Sequence, residues 1–220
     1  MTITPESVQN LLSSSDLGDR LRGVNQLREL EPAIAFELIQ IPIKDSNSRV
    51  RYAAVSQMAT LGEQNLEMAY EILRHHLLND PEVDVQAAAA DGLGALKFQN
   101  AFDDLQTVYN TTSEWLLKLS IVAAVGGIEE PRAFELLEQA LQDENTLIQT
   151  VAISALGELG DHRAIPLLVP FVTNSDWQVR YRVVQALVRL GGSEAETLLR
   201  QLAEDEVEIV AQEAKSPVGG

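Results

Sequence analysis

The stretch SDWQVRYRVVQALVRLGG, residues 175–192, decides the fold. A turn-like start at Ser175-Asp176 leads into a Val-Arg pair at Val179-Arg180. Apolar residues then recur three and four apart, and the segment stops at Gly191-Gly192. That is the pattern of one amphipathic helix. The same frame occurs elsewhere in the chain: DSNSRVRYAAVSQMATLG (45–62), DPEVDVQAAAADGLGALK (80–97), TSEWLLKLSIVAAVGGIE (112–129), DENTLIQTVAISALGELG (143–160) and LGDRLRGVNQLREL (17–30). The residues in register are Leu30, Leu61, Leu96, Ile128, Leu159 and Leu190, spaced 31, 35, 32, 31 and 31 apart. A fixed period of this size is the signature of a stacked repeat.

Each unit carries a second half. AIAFELIQIPI, LEMAYEILRHHL, AFDDLQTVY, PRAFELLEQAL, RAIPLLVPFV and AETLLRQLA each read as a short helix. Strand signals are nearly absent, so the expected fold is all-α: an α-solenoid of about six helix pairs. A single pair cannot bury its apolar stripe alone, and stacked neighbours supply the core. Pro166 and Pro170 should bend their helix or confine it to its first turn. Asp205 lies 62 residues after Asp143, twice the 31-residue period. DEVEIVAQEA is therefore expected to be a truncated seventh first helix, with Val210 in the Val-Arg slot. The domain plan is an N-terminal extension or cap at 1–15, the repeat array at 16–204, and a partial capping repeat with a loose tail at 205–220.

Composition narrows the function. With 16 Lys and Arg against 33 Asp and Glu, the 220-residue chain has a formal net charge of −17. Such a surface repels phosphate backbones and anionic membranes, so no nucleic-acid partner is expected. The absence of cysteine excludes disulfides, thiolate metal sites and thiol catalysis from this chain. The N-terminal MTITPESVQNLL lacks a basic region followed by an apolar run, and no stretch reaches the ~18 apolar residues of a membrane span. A cytoplasmic protein without membrane insertion is expected. His75 and His76 are adjacent on a helix and point about 100° apart, so no shared metal is expected. No Ser-His-Asp pattern or phosphate-cradling loop is present, and the glycines read as helix-end caps.

The residue following the apolar slot is Arg20, Arg51, Gln86, Lys118, Gln149 or Arg180. Asp45, Asp80, Asp143 and Asp176 stand just ahead of their helices. An Asp there can cap the helix and meet a basic partner from a neighbouring unit. Helical geometry puts positions −2, +2, +3 and +6 from the slot on the exposed side of each first helix. Both tryptophans, Trp115 and Trp177, take position −2, and two of four tyrosines, Tyr52 and Tyr181, take +2. Arg182 is at +3 and Asp91 at +6. Small residues (Ala87, Ala88, Ala95, Ala123 and Gly127) fill the middle, so an apolar recess with Asp91 as its acid is expected, a plausible ligand site.

The repeats resemble the short form of the HEAT-repeat family. VRYAAVSQMATLGE and VRYRVVQALVRLGG in particular resemble its phycobilisome bilin lyase-like branch in cyanobacteria, and the whole is most similar to NblB-type phycobilisome degradation proteins. The resemblance implies that the Val-Arg helices line a concave groove. It implies a protein that handles phycocyanobilin, a linear tetrapyrrole, on phycobiliproteins such as phycocyanin and allophycocyanin, at the cytoplasmic face of thylakoid-attached phycobilisomes. No tightly bound cofactor is expected: without cysteine, any bilin is held non-covalently. In that reading Tyr52, Trp115, Trp177 and Tyr181 stack on the pigment, Lys118 and Arg182 (with Arg49) pair with its propionates, and Asp91 accepts from its pyrrole N–H groups. The rival readings are a non-enzymatic scaffold gripping a protein segment and a lyase subunit that attaches chromophore. No catalytic residue is marked by a motif.

Overall fold

The computed structural model describes residues 2–215. The loose tail expected after Lys215 lies outside the described residues. Within them there is no strand, and no helix is long and apolar enough to cross a membrane.

The chain forms two compact units, Met1–Ala124 and Val125–Gly220. The first holds α1 (Pro5–Leu12), α2 (Leu17–Gln26), α3 (Pro32–Ile39), α4 (Ser48–Leu61), α5 (Leu66–Asn79), α6 (Val83–Ala95), α7 (Phe102–Thr111) and most of α8 (Trp115–Gly127). The second holds the end of α8, then α9 (Ala133–Ala140), α10 (Thr146–Leu159), α11 (Ala164–Leu168), α12 (Trp177–Leu190), α13 (Gly192–Leu202) and α14 (Glu208–Lys215). Even-numbered helices are the Val-Arg helices. In the first unit α2, α4 and α6 pack in succession; in the second, α10, α12 and α14 do so. The apolar slot residues Val50, Val85, Leu117, Ile148, Val179 and Val210 are all buried. At the ends, α1 packs on α2, and α14 packs on α12 and α13.

Successive Val-Arg helices approach closely because glycine faces alanine at the crossing. A Cβ built on Gly94 would come to 2.6 Å from Ala124, on Gly126 to 2.6 Å from Ala155, and on Gly157 to 2.7 Å from Ala186. These glycines are therefore packing residues inside helices, where the sequence suggested caps. Gly160 is a true cap: its φ of 73° is the left-handed region glycine favours, and its N–H reaches the Leu156 carbonyl.

The residues in register differ in depth. Of the register residues, Ile128 and Leu190 are buried, but Leu61, Leu96 and Leu159 are only half-buried. They close the ends of their helices, and the fully buried position in α10 is Leu156, one turn earlier. Leu30 lies beyond the end of α2, in extended backbone. The proline expectation holds. α11 is five residues long and passes into a 3-10 turn at Val169–Phe171, since Pro170 has no N–H to continue the α ladder. The 35-residue interval also has a physical source. α5 runs 14 residues against eight for α3 and α9, so the four residues by which this interval exceeds 31, about one turn, are taken up in a longer second helix.

A polar spine runs along the loops ahead of the Val-Arg helices. The side chains of Ser14, Asp45, Asp80, Thr112, Asp143, Asn174 and Asp205 each accept from the backbone N–H two residues on. Asp45, Asp80 and Asp143 thus build the turn, and the caps of α4 and α10 are Asn47 and Asn145. Asp176 belongs to the capping position, accepting from Gln178, and Asn174 holds the turn in that loop. Each slot arginine reaches forward to the turn acid of the next loop: Arg20 to Asp45 (2.7 Å), Arg51 to Asp80 (2.8 Å) and Arg180 to Asp205 (2.6 Å). Each also donates back to two carbonyls of its own loop. Gln86 and Gln149 instead donate only to the carbonyls of Asp80 and Asp143, 2.8 Å away. The slot is basic where the next turn residue is Asp and Gln where it is Thr112 or Asn174.

This spine titrates. Desolvation opposes ionisation of Asp80, but hydrogen bonds from Arg51, the Glu82 N–H and His76 outweigh it and hold the carboxyl at about 2. A carboxyl depressed in the fold contributes stability above its unfolded pKa near 4 and loses it as pH falls through about 2, an effect of about 2 kcal/mol. Burial pushes His76 below the usual imidazole value, against the pull of Asp80. A histidine kept neutral in the fold loses its contribution as pH falls below its unfolded value of about 6.5. Urea titrations are therefore expected to show stability falling first below pH ~6.5 and again between pH ~4 and ~2. His76→Gln should remove the first step, and an unchanged profile would refute the assignment.

Candidate functional site

Four of the sequence-predicted residues lie in the first unit. Tyr52 on α4 and Trp115 at the start of α8 are 48% and 49% exposed, although large aromatics are normally covered. Asp91 on α6 is also exposed. α6 packs against α4, and Gly94 brings it against α8, so the three residues stand on consecutive helices. Asp91 accepts from the Ser120 hydroxyl of α8, and burial nonetheless pushes its carboxyl above the ordinary range. Solvent thus reaches the side chain while the protein around it penalises its charge. Ser120 is buried, so the Asp91 carboxylate is oriented from beneath.

Tyr52 also lines a pocket of about 100 Å³ with Ser48, Arg49, Glu82, Asp84 and Val85. Arg49 is exposed beside it. Lys118 is turned elsewhere. It is half-buried, with its ammonium 5.4 Å from the centre of the Tyr109 ring on α7, so it serves the slot rather than the exposed face. Of the small residues expected to line the recess, Ala87 and Ala88 are buried, whereas Ala95 and Ala123 are exposed. The first two are therefore packed away rather than lining an open recess.

The remaining three lie on α12 in the second unit. Trp177 is 39% exposed, Tyr181 is half-buried and Arg182 is exposed, hydrogen-bonded to Gln185 at 3.1 Å. Leu147, at the start of α10, adds another exposed apolar side chain. The second unit thus presents aromatic and apolar groups beside a guanidinium.

Sequence reasoning missed a second concavity in the first unit. It has a volume of about 600 Å³ and lies where α5 meets the Asp45 and Asp80 loops. The available signals were the long interval and the His75-His76 pair.

The HEAT repeats family model matches residues 70–155 and 135–216, which together span most of the chain. No curated protein matches. Among solved structures, a chain in the complex of CpcE and CpcF of phycocyanin lyase from Nostoc sp. PCC7120 is similar, with 21% identity and a TM-score of 0.67 over 97% of this chain and 93% of that one. The archaeal HEAT-like repeats protein from Thermococcus onnurineus NA1 is similar at 12% identity and a TM-score of 0.59, over 98% and 95%. An engineered protein matches at 19% identity and a TM-score of 0.63, over 97% of this chain and 67% of that one.

Proposed function

The chain belongs to the HEAT-repeat family, and from that premise we propose that its Val-Arg helices bind a linear tetrapyrrole carried by phycobiliproteins and assist its detachment during phycobilisome degradation. The observation that carries the reading is the exposed aromatic side chain on each side of an acid with a raised pKa: Tyr52, Asp91 and Trp115 on consecutive helices. A bilin is flat, conjugated and largely apolar, with pyrrole N–H donors along one edge and two propionates. Aromatic faces suit its rings, Asp91 suits its donors, and Arg49 or Arg182 suits a propionate. With no cysteine in the chain, the pigment is held non-covalently and handed on. The fold shared with a chain of the phycocyanin lyase complex supports a bilin-handling reading. Attachment by a lyase subunit is the reverse use of one site, and no residue is assigned a catalytic role.

The test is titration of the purified protein with phycocyanobilin, followed by absorbance. A saturable change in the long-wavelength band is expected. Losing a carboxylate that accepts from the ligand costs on the order of 1.5–3 kcal/mol, so Asp91→Asn should weaken binding about ten- to a hundredfold with unchanged melting. Tyr52→Ala and Trp115→Ala should also weaken it. If all three bind like the parent, this face is not the site. Incubation with intact phycocyanin and with apo-phycocyanin plus free bilin separates detachment from attachment.

A further inference from the structure

We propose that the 600 Å³ concavity beside α5 is a second binding site, for a small amphipathic anion with an apolar body and one carboxylate-type headgroup. The volume falls in the range of small-molecule pockets. Its walls are apolar: Ile43 and Pro81 from the loops, with Met68 and Ile72 from α5. Met68, Ile72, His75 and Asn79 recur three and four apart, so one face of α5 forms the wall. Met68 is 39% exposed, and Leu66 and Leu78 on the same helix are likewise uncovered.

The repeat supplies its own comparison. In the second unit the same place beside the Arg180–Asp205 pair is a smaller concavity of about 450 Å³, lined by Val172 and Leu202 but otherwise by Thr173, Asn174, Ser175, Gln201 and Glu206. There the positions of Lys44 and His76 are held by Thr173 and Gln201, and no methionine or isoleucine contributes. The apolar wall that Met68 and Ile72 supply is thus not a by-product of stacking. It accompanies the extra turn of α5, which the period does not require.

The headgroup follows from the charges that are already satisfied. Asp45 is paired with Arg20, and Asp80 with Arg51 and His76. Lys44 is exposed, and among the described residues it has no acidic partner within 4 Å. Glu71 also lines the concavity from α5; the neighbouring Arg74 is raised chiefly by its hydrogen bond to Asp104 and also by Glu71. An anion whose headgroup meets Lys44 lays its apolar body against Met68 and Ile72, and a ring N–H of His75 can donate to the same headgroup.

The experiment uses 1-anilinonaphthalene-8-sulfonate, an aromatic anion, with the intact chain under conditions where melting confirms the native state. Saturable fluorescence enhancement is expected, displaced by dodecanoate and not by dodecylammonium. Met68→Glu should weaken binding at least tenfold. Lys44→Gln should weaken the anion about tenfold while leaving the neutral probe N-phenyl-1-naphthylamine unchanged. Thr173→Glu, at the counterpart position in the second unit, should have no effect. Parent-like affinity in Met68→Glu, displacement by dodecylammonium, or loss of the probe in Trp115→Ala would overturn the proposal. The last result would move the probe to the Val-Arg face. Because phycocyanobilin binding is read separately with Asp91→Asn, either reading can fail while the other stands.

Discussion

Replacing Leu156 by Asp is expected to abolish the cooperative fold of the second unit at 25 °C. Leu156 is fully buried within α10, between Ile153 and Gly157, which are buried too. α10 packs against α9, α11 and α12, so a carboxylate at Leu156 enters the core shared by three neighbours. An unpaired charge there loses hydration and regains no partner, and the leucine's burial is lost with it. The combined cost of about 4–5 kcal/mol or more is a large share of a domain's net stability. Leu159→Asp is the control. That residue is half-buried at the helix end, so its carboxylate can turn to water and the loss should stay below about 2 kcal/mol. The measurement is urea unfolding followed by circular dichroism. If the two variants melt alike, the burial pattern along α10 is wrong.

The contrast between those two leucines shows what was legible beforehand. The period, the all-helical class and the buried slot residues follow from spacing, because repeated contacts demand the same residue types at each unit. Depth does not follow from spacing. Leu159 recurs as faithfully as Leu156, yet one closes a helix end and the other fills the core. Small residues misled for a related reason. Gly94, Gly126 and Gly157 recur because backbones touch there, and Ala87 and Ala88 are buried; a sequence cannot distinguish a small residue that lines a recess from one that is packed away.

At the candidate site the aromatic positions were readable from helical phase, because an exposed Trp at position −2 in two units breaks the expectation that tryptophan is covered. Lys118 was not. Its slot places it one residue from the exposed face, and the Tyr109 ring that draws it away sits on another helix. The concavity beside α5 was unreadable for the same reason. Its walls come from segments some thirty residues apart, and only the irregular interval hinted that one helix had been lengthened.

The loop spine permits a prediction in which the chain itself supplies the design. Asp205→Ala is expected to cost about 3–5 kcal/mol, because it strips the bidentate partner from a buried guanidinium. Arg180 and Asp205 expose only 7% and 6% of their side chains, and Nε and Nη2 lie 2.6 and 2.8 Å from the two carboxylate oxygens. What remains for Arg180 is the Asn174 carbonyl at 2.7 Å, the Ser175 carbonyl at 3.4 Å and, at 3.8 Å, the exposed Glu206 carboxylate, which solvent screens. Asp205 also accepts from the Val207 N–H, so the turn ahead of α14 loosens with it. The neighbouring loops show the neutral alternative. Gln149 bonds the Asp143 carbonyl six residues back, and the turn residue of the following loop is Asn174. Arg180→Gln combined with Asp205→Asn copies that pairing: the glutamine can donate to the Asn174 carbonyl, and the asparagine can still accept from Val207. The double variant should therefore lie within about 1–2 kcal/mol of the parent, and well above either Asp205→Ala or Arg180→Gln alone, since the latter leaves Asp205 without its cation. Urea midpoints of the four proteins decide it. If the double variant falls by the sum of the single losses, charge matching between slot and turn does not govern the stacking, and the alternation of Arg and Gln along the chain has another cause.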